Sequence, residues 1–436
     1  MSGNAGRLSG PAAGRRLFIL SLWYFPSRFG LHVVDIAAAF SRAGYDVTIV
    51  TVAKAAFDLP YFDAFREAFD VAAGDWPQLV RLNLESLEDR GAYNPRLAIR
   101  RDSTFRACLR QMESGPCYLL HFFEMFLPYF NSETVASAVV TSLLYAGNFI
   151  TRIIGQRLRE GVAPISPDFV VETLLHPYSV AAEHGGYRLR GVACVFSETR
   201  ELARMLHSTR LRTRCWWTSR PVFVAPVLAA PPCDLHVEFG IPERAKVLLY
   251  AGRPAKNARA LLSILRLVRS RHAHAPVILL LVGVRGQELS AWPGACGVRE
   301  SVRTVPFVSR TRLLGIMKSA DVFVYPGLVD GYPKVISEAQ LARLPVVAFS
   351  SPASGVREVA TDGATALLVD VASEAETSER ENREFAAAVT RILTERTLRD
   401  ALVERASLAA MQMDAPHFVN RLERLWARRG AISKAG

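Results

Sequence analysis

Apolar positions along this chain fall into short unbroken runs separated by longer stretches of helical period. Leu17 to Tyr24 is a nearly continuous apolar run, His32 to Arg42 places Val33, Ile36, Ala37 and Phe40 at helical spacing, and Asp46 to Val52 is rich in β-branched residues. The order predicted is strand, helix, strand. Gly44 stands where a helix C-terminal glycine belongs, and so short a connection implies a parallel crossover. Apolar runs at Cys117 to Leu120, Phe169 to Leu175 and Val192 to Phe196 predict further strands of the same sheet, whereas positions 54 to 115 show no clear period. Residues 1 to 14, rich in Gly, Ser and Ala, predict a flexible tail.

The second half alternates more regularly. Strands are predicted at Val247 to Ala251, Val277 to Val282, Val302 to Phe307, Val322 to Tyr325, Val346 to Phe349 and Ala364 to Val369. Helical spacing lies between them at Ala258 to Arg271, Arg312 to Ser319, Val335 to Ala342 and Val356 to Ala360. Six strands with intervening helices predict an α/β fold with a doubly wound parallel sheet. Pro226, Pro231, Pro232 and Pro242 mark Ala225 to Pro242 as the hinge between an N-terminal domain over 15–230 and a C-terminal one over 243–412. Two such Rossmann-like domains are expected to face a cleft lined by the carboxyl ends of their strands. Glu374 to Arg383 reads as a charged loop or helix start, and His417 to Arg429 carries Phe418, Leu422, Leu425 and Trp426 on one apolar face that needs a partner.

Composition narrows the classes. A chain of 436 residues that is 50% hydrophobic and 22% charged has room for two or three domains and is not a disordered polymer. The net charge of +12 raises nucleic acid, anionic membrane and phosphorylated small molecules as partners. Residues 1–240 carry 25 cations and 22 anions, against 28 and 19 in 241–436, so three quarters of the surplus lies in the second half. Six cysteines without a metal or redox spacing argue against a disulfide scaffold. Leu17 to Phe25 reads as a buried first strand rather than a signal-peptide core, because Pro26 and Arg28 break it and no small-residue cleavage site follows. The apolar stretch Ala138 to Ile150 is shorter than the ~20 residues a membrane span needs.

Chemistry concentrates in one segment. From Asp321 a strand runs through Tyr325 to a loop holding Asp330-Gly331-Tyr332-Pro333, and a helix begins near Lys334-Val335 and carries Glu338. Amides at a helix start, with the helix dipole, suit a phosphate. Two acids eight residues apart would reach hydroxyls at opposite ends of a bound nucleotide sugar. Asp-Gly is also a common turn, and both Gly331 and Gly355 are compatible with a purely conformational use.

The segment resembles the retaining GT-B glycosyltransferases of the GT4 type, the glycosyl transferases group 1, whose pattern is Glu, seven residues, Glu, then a small-residue helix and Pro-Val-Val. The resemblance extends to Tyr250-Ala251-Gly252-Arg253-Pro254-Ala255-Lys256-Asn257, to Val282-Gly283, to Pro306-Phe307-Val308 and to Ser354-Gly355 through Leu367. Leu17 to Thr51 and Phe196-Ser197-Glu198 resemble family segments of the first half. The resemblance implies a cytoplasmic GT-B enzyme, at most peripheral to the inner face of the membrane, that moves a sugar with retention from a UDP-, GDP-, ADP- or dTDP-sugar to a hydroxyl acceptor. It implies no required cofactor or metal. Arg253 and Lys256 would grip the diphosphate, Glu338 the ribose and Asp330 the donor sugar, with Gly30, Gly252, Gly283, Phe307, Val308, Gly331, Tyr332, Pro333, Lys334 and Val335 around the ligand. His121 and His176, each ending an apolar run, would stand near the reacting sugar or serve structure. The last helix, within 413–436, would cross back to the first domain. A donor phosphate oxygen would take the acceptor proton, so no protein base is required.

This chain departs from the pattern twice. Asp330 replaces the first Glu and is one methylene, about 1.5 Å, shorter. The Gly-Gly loop after the first strand is reduced to Phe29-Gly30-Leu31. Both departures leave open a non-catalytic partner subunit, and another GT-B nucleotide-sugar enzyme such as a 2-epimerase is the nearest catalytic alternative. Arg96, Arg100, Arg101, Arg106 and Arg110 read as a solvated face, with contact to a membrane or an acceptor phosphate as the alternative, and Trp216-Trp217 as an interface anchor or a buried pair. No nucleic-acid module is recognisable, and no nucleic-acid partner is expected.

Overall fold

The computed structural model describes residues 15–21, 28–53, 78–83, 107, 117–122, 138–144, 194–197, 215–217, 220–252, 257–272, 275–292, 297–306, 308–328, 330, 332–351, 354–373 and 375–433. These fall into two compact units, one holding the described residues up to Pro221 together with those from Ala415 onward, the other Val222–Asp414.

The first unit is built on strands β1 (Arg16–Ser21), β2 (Asp46–Ala53), β3 (Gln78–Asn83), β4 (Cys117–Phe122), β5 (Ala138–Leu144), β6 (Cys194–Ser197) and β7 (Cys215–Trp217). All pair in parallel in the order β3-β2-β1-β4-β5-β6-β7. Helix α1 (Arg28–Arg42) joins β1 to β2, and Gly44 at φ +86° ends it in the left-handed conformation that glycine adopts without strain. The expected first strand is confirmed, with Leu17, Phe18 and Ile19 buried. Three strands differ from expectation. β3 lies in the stretch without clear period, β5 occupies the start of the long apolar run at 138, and β7 contains the Trp pair. Edge strands of three to six residues leave too short a pattern to recognise. The expected strand at Phe169 to Leu175, the first 14 residues and the arginine run from Arg96 lie outside the described residues.

The last helix belongs to this unit. α11 (Ala415–Ser433) packs on α1, with the Phe40 and Phe418 rings edge to face at 6.3 Å. Tyr45 donates its hydroxyl to Glu423 Oε1 at 2.7 Å, and Arg15 pairs with the same oxygen at 3.0 Å. Burial, then the Glu423 hydrogen bond, push the Tyr45 phenol well above the usual tyrosine range.

The second unit opens with short helices α2 (Val224–Ala229) and α3 (Leu235–Phe239), where the proline-rich hinge was expected. Asp234 caps α3 by accepting from the amides of His236 and Val237, which explains a helix between prolines. There follow β8 (Lys246–Ala251), α4 (Ala260–Arg271), β9 (Val277–Val282), α5 (Gly286–Ser290), β10 (Val302–Val305), α6 (Arg310–Ser319), β11 (Val322–Tyr325), α7 (Lys334–Leu341), β12 (Val346–Ser350), α8 (Val356–Val359), β13 (Leu367–Asp370), α9 (Glu379–Thr394) and α10 (Arg396–Met411). All six expected strands form, in the parallel order β10-β9-β8-β11-β12-β13. Ser378 and Glu381 form a reciprocal cap, so the charged stretch before 383 is a helix start.

Alternation along these strands sorts two cores. Val247, Leu249, Ile278, Leu280, Phe323 and Tyr325 face α6 and α7, while Leu248, Tyr250, Leu279, Leu281, Val322 and Val324 face α4 and α9. With both faces covered, the carboxyl ends of the strands are left to meet ligand.

The Tyr45 contact sets a test. In an unfolded chain tyrosine ionises near ~10, whereas folded Tyr45 stays protonated to higher pH, so its contribution is complete below ~10 and is lost as pH rises beyond it. Tyr45→Phe is expected to cost about 1 kcal/mol at neutral pH and to flatten the fall in thermal stability between pH 9 and 11. Parallel wild-type and variant curves across that range would refute the assignment.

Candidate functional site

The second sheet reverses its strand order between β8 and β11, the switch point at which doubly wound sheets hold ligands. Gly252 and Gly283 follow β8 and β9 there. Gly283 has φ +90°, and a Cβ on it would lie 2.5 Å from the Gly252 carbonyl oxygen, so both its conformation and its contact require glycine. The Gly283 amide donates to Val305 O at 2.8 Å and the Gly252 amide to Val282 O at 3.0 Å. Arg253 and Lys256, in the connection that leaves Gly252, lie outside the described residues, as do Phe307, Gly331 and His176. Asn257 marks the far end of that connection. It is left-handed, at φ +55°, and its side-chain amide donates to Pro326 O at 3.2 Å, tying the loop after β8 to the loop after β11.

The β11 loop is pinned from its other side by the segment after β12. Ser351 donates to the Leu328 carbonyl, Asp330 forms a parallel bridge with Ser354, and the Gly355 amide donates to Asp330 O at 2.6 Å. Tyr325, at the end of β11, donates its hydroxyl to Asp330 Oδ2 at 2.5 Å. α7 begins at Lys334 after Pro333, without a side-chain cap. The amides of Lys334 and Ile336 donate to Tyr332 O and Pro333 O. These two donors of the expected anion site are therefore spent on local turns.

Glu338, one turn into α7, is 8% exposed rather than solvated. Its Oε1 accepts from Arg310 at 2.7 Å and lies 3.7 Å from Lys334 Nζ. Arg310 comes from the start of α6, and both cations lie over the Phe223 ring, at 5.5 and 5.7 Å from its centre. The aromatic face attracts both, so the acid and two cations form one fixed group. Tyr332 is a core residue, its ring buried and its hydroxyl 3.2 Å from Met413 Sδ. Val335 and Val308 pack partly buried against the same core.

In the first unit, His121 is the fifth residue of β4 and pairs with Leu20 of β1 and Ser142 of β5, at the carboxyl end beside that sheet's own switch point. Gly30 is corrected. It lies in the first turn of α1 rather than in a loop after β1, because Phe29, Val33, Ile36, Ala37 and Phe40 extend the helical period back to Arg28.

Asp330, Glu338, Lys334, Gly252 and Gly283 thus share the switch-point edge. Arg310 and Tyr325 were missed as functional candidates. Arg310 is 28 positions from Glu338 and gives no spacing signal, while Tyr325 stands in the strand that the motif already included. Among the described residues, no three His, Cys, Asp or Glu side chains group so as to hold a metal ion.

Two doubly wound parallel units, with an acid-bearing loop and helix at the second switch point, define the GT-B fold. The solved structure of the Anabaena protein Alr3699/HepE with UDP and glucose superimposes with a TM-score of 0.62 at 14% identity, over 95% of this chain and 100% of that one. Sucrose-phosphate synthase of Thermosynechococcus elongatus gives 0.63 at 15% identity, over 96% and 100%. Residues 234–408 match the model of the glycosyl transferases group 1. A D-inositol 3-phosphate glycosyltransferase of Arthrobacter sp. (strain FB24) is 32% identical over 141 residues, 31% of this chain and 33% of the relative. The chain spans between 31% and 39% of the length of the curated relatives it matches.

The Arg310 contact is testable by stability. Removing one partner of a buried ion pair costs ~3–5 kcal/mol, and Lys334 offsets part of that, so Arg310→Gln is expected to lose about 2–3 kcal/mol in urea unfolding. A loss under about 0.5 kcal/mol would show that Arg310 does not hold Glu338.

Proposed function

We propose that this chain is a retaining, metal-independent glycosyltransferase that moves a sugar from a nucleoside diphosphate sugar to a hydroxyl acceptor. One observation carries the reading: two acids at the family's spacing stand at the switch point of a sheet inside the matched segment, each held by a named partner, Asp330 by Tyr325 and Glu338 by Arg310. In this reading Glu338 takes the ribose hydroxyls and Asp330 the donor sugar. Arg253 and Lys256 stabilise the diphosphate as it gains charge on bond cleavage, and a donor phosphate oxygen takes the acceptor proton. The neighbour solved with UDP supports a uridine donor as the first to test. The name of the curated relatives supports a phosphorylated polyol among the acceptors to test.

In this proposal the first unit, whose leading part ends at Pro221 rather than 230, is the acceptor side, the second, Val222–Asp414, holds the donor, and the helix within 413–436 crosses back. His121 and His176 are its acceptor-side candidates. The cationic surplus of the second half steers an anionic donor. The proposed location is the cytoplasm, with any membrane contact peripheral; among the described residues no helix is long and apolar enough to cross a membrane.

Thermal shift with UDP-, GDP-, ADP- and dTDP-sugars is expected to raise the melting temperature with one nucleotide, by the equivalent of ~2.7 kcal/mol at a hundredfold excess over Kd. No shift with any of them would sink the proposal. Lys256→Ala or Arg253→Ala is expected to cut turnover by about 10² or more through lost leaving-group stabilisation, with near-wild-type turnover as the contrary result. Asp330→Ala is expected to impair sugar-dependent activity more than affinity for the bare nucleoside diphosphate; equal losses would remove Asp330 from the sugar.

A further inference from the structure

Asp330 is held more tightly than the spacing of the two acids requires. Tyr325 is fully buried at the end of β11, and its hydroxyl meets Asp330 Oδ2 at 2.5 Å, the length of a hydroxyl donating to a carboxylate. A Cβ at Gly327 would lie 2.8 Å from three atoms of the Tyr325 side chain, its hydroxyl oxygen included. Gly327 is not among the positive-φ glycines, so what glycine supplies at this position is clearance for the Tyr325 ring. The main chain of Asp330 is fixed independently by the Gly355 amide and the bridge to Ser354.

An acid with free side-chain torsions can follow a sugar hydroxyl that is displaced or inverted. One whose main chain is bridged and whose Oδ2 carries a tyrosine hydroxyl cannot, and an aspartate reaches about 1.5 Å less far than a glutamate. We propose that Tyr325 is a positioning residue that sets donor-sugar selectivity by fixing the direction of the Asp330 carboxylate, and that Gly327 is the clearance that lets it do so. The inference rests on the donor-sugar role given to Asp330 under the proposed function. It adds what the two acids alone do not supply, discrimination between sugars that differ at one hydroxyl.

Full-length Tyr325→Phe removes only the hydroxyl, and Gly327→Ala displaces the ring while keeping it. Calorimetry would compare UDP with UDP-glucose and UDP-galactose, and GDP with GDP-mannose and GDP-glucose, alongside the melting temperature of each variant. The wild type is expected to prefer one epimer of one pair by tenfold or more. Both variants are expected to lose at least fivefold of that preference while their Kd for the bare diphosphate stays within twofold. Retention of the wild-type preference in Tyr325→Phe overturns the inference, and so does a wild type that binds the diphosphate but does not distinguish the epimers. Parallel loss of diphosphate affinity, preference and melting temperature in both variants shows a structural role and overturns it equally. A wild type that binds no nucleoside diphosphate removes the proposed function itself, and the inference with it.

Discussion

Covering both faces of the second sheet leaves its chemistry one place to occur. Apart from the edge strand β10, whose middle residues are Arg303 and Thr304, the strands of that sheet bury alternate apolar residues in two separate cores, so polar side chains collect where the strands end. At the β8–β11 switch point the edge is shaped by what the backbone can tolerate. Gly283 comes close to the Gly252 carbonyl because it carries no side chain, and Asn257 closes the same edge by holding Pro326.

The acids at this edge are then a problem of desolvation. A carboxylate as enclosed as Glu338 is costly unless paired, and Arg310 and Lys334 supply the pairing across a shared aromatic face. Asp330, less enclosed, is oriented by a hydroxyl instead. The excess positive charge of the second half would then act on the ligand's phosphates from a distance.

Much of this was legible in the chain. Apolar runs four to six residues long, with helical spacing between them, gave the second sheet strand for strand, since a strand buried on both faces is apolar throughout. Glu338 and Asp330 were legible because loop, helix and spacing coincide. The contacts that orient them were not, because Arg310 acts across 28 residues and Tyr325 reads as one more apolar position of a buried strand. The extension of α1 back over Gly30 was obscured for a different reason: expecting a glycine loop, one reads Phe29-Gly30-Leu31 as irregular although the helical period runs through it. The short edge strands β3 and β7 carry too few residues to show a period.

Hydrogen exchange on the full-length protein, with and without a saturating nucleoside diphosphate sugar, tests the switch-point assignment most directly. Protection is expected to concentrate in peptides that span 251–257 and 327–338, at least tenfold slower exchange there, with the edges at the amino ends of the same strands unchanged. Protection elsewhere in the chain, with these two segments exchanging as before, would contradict it.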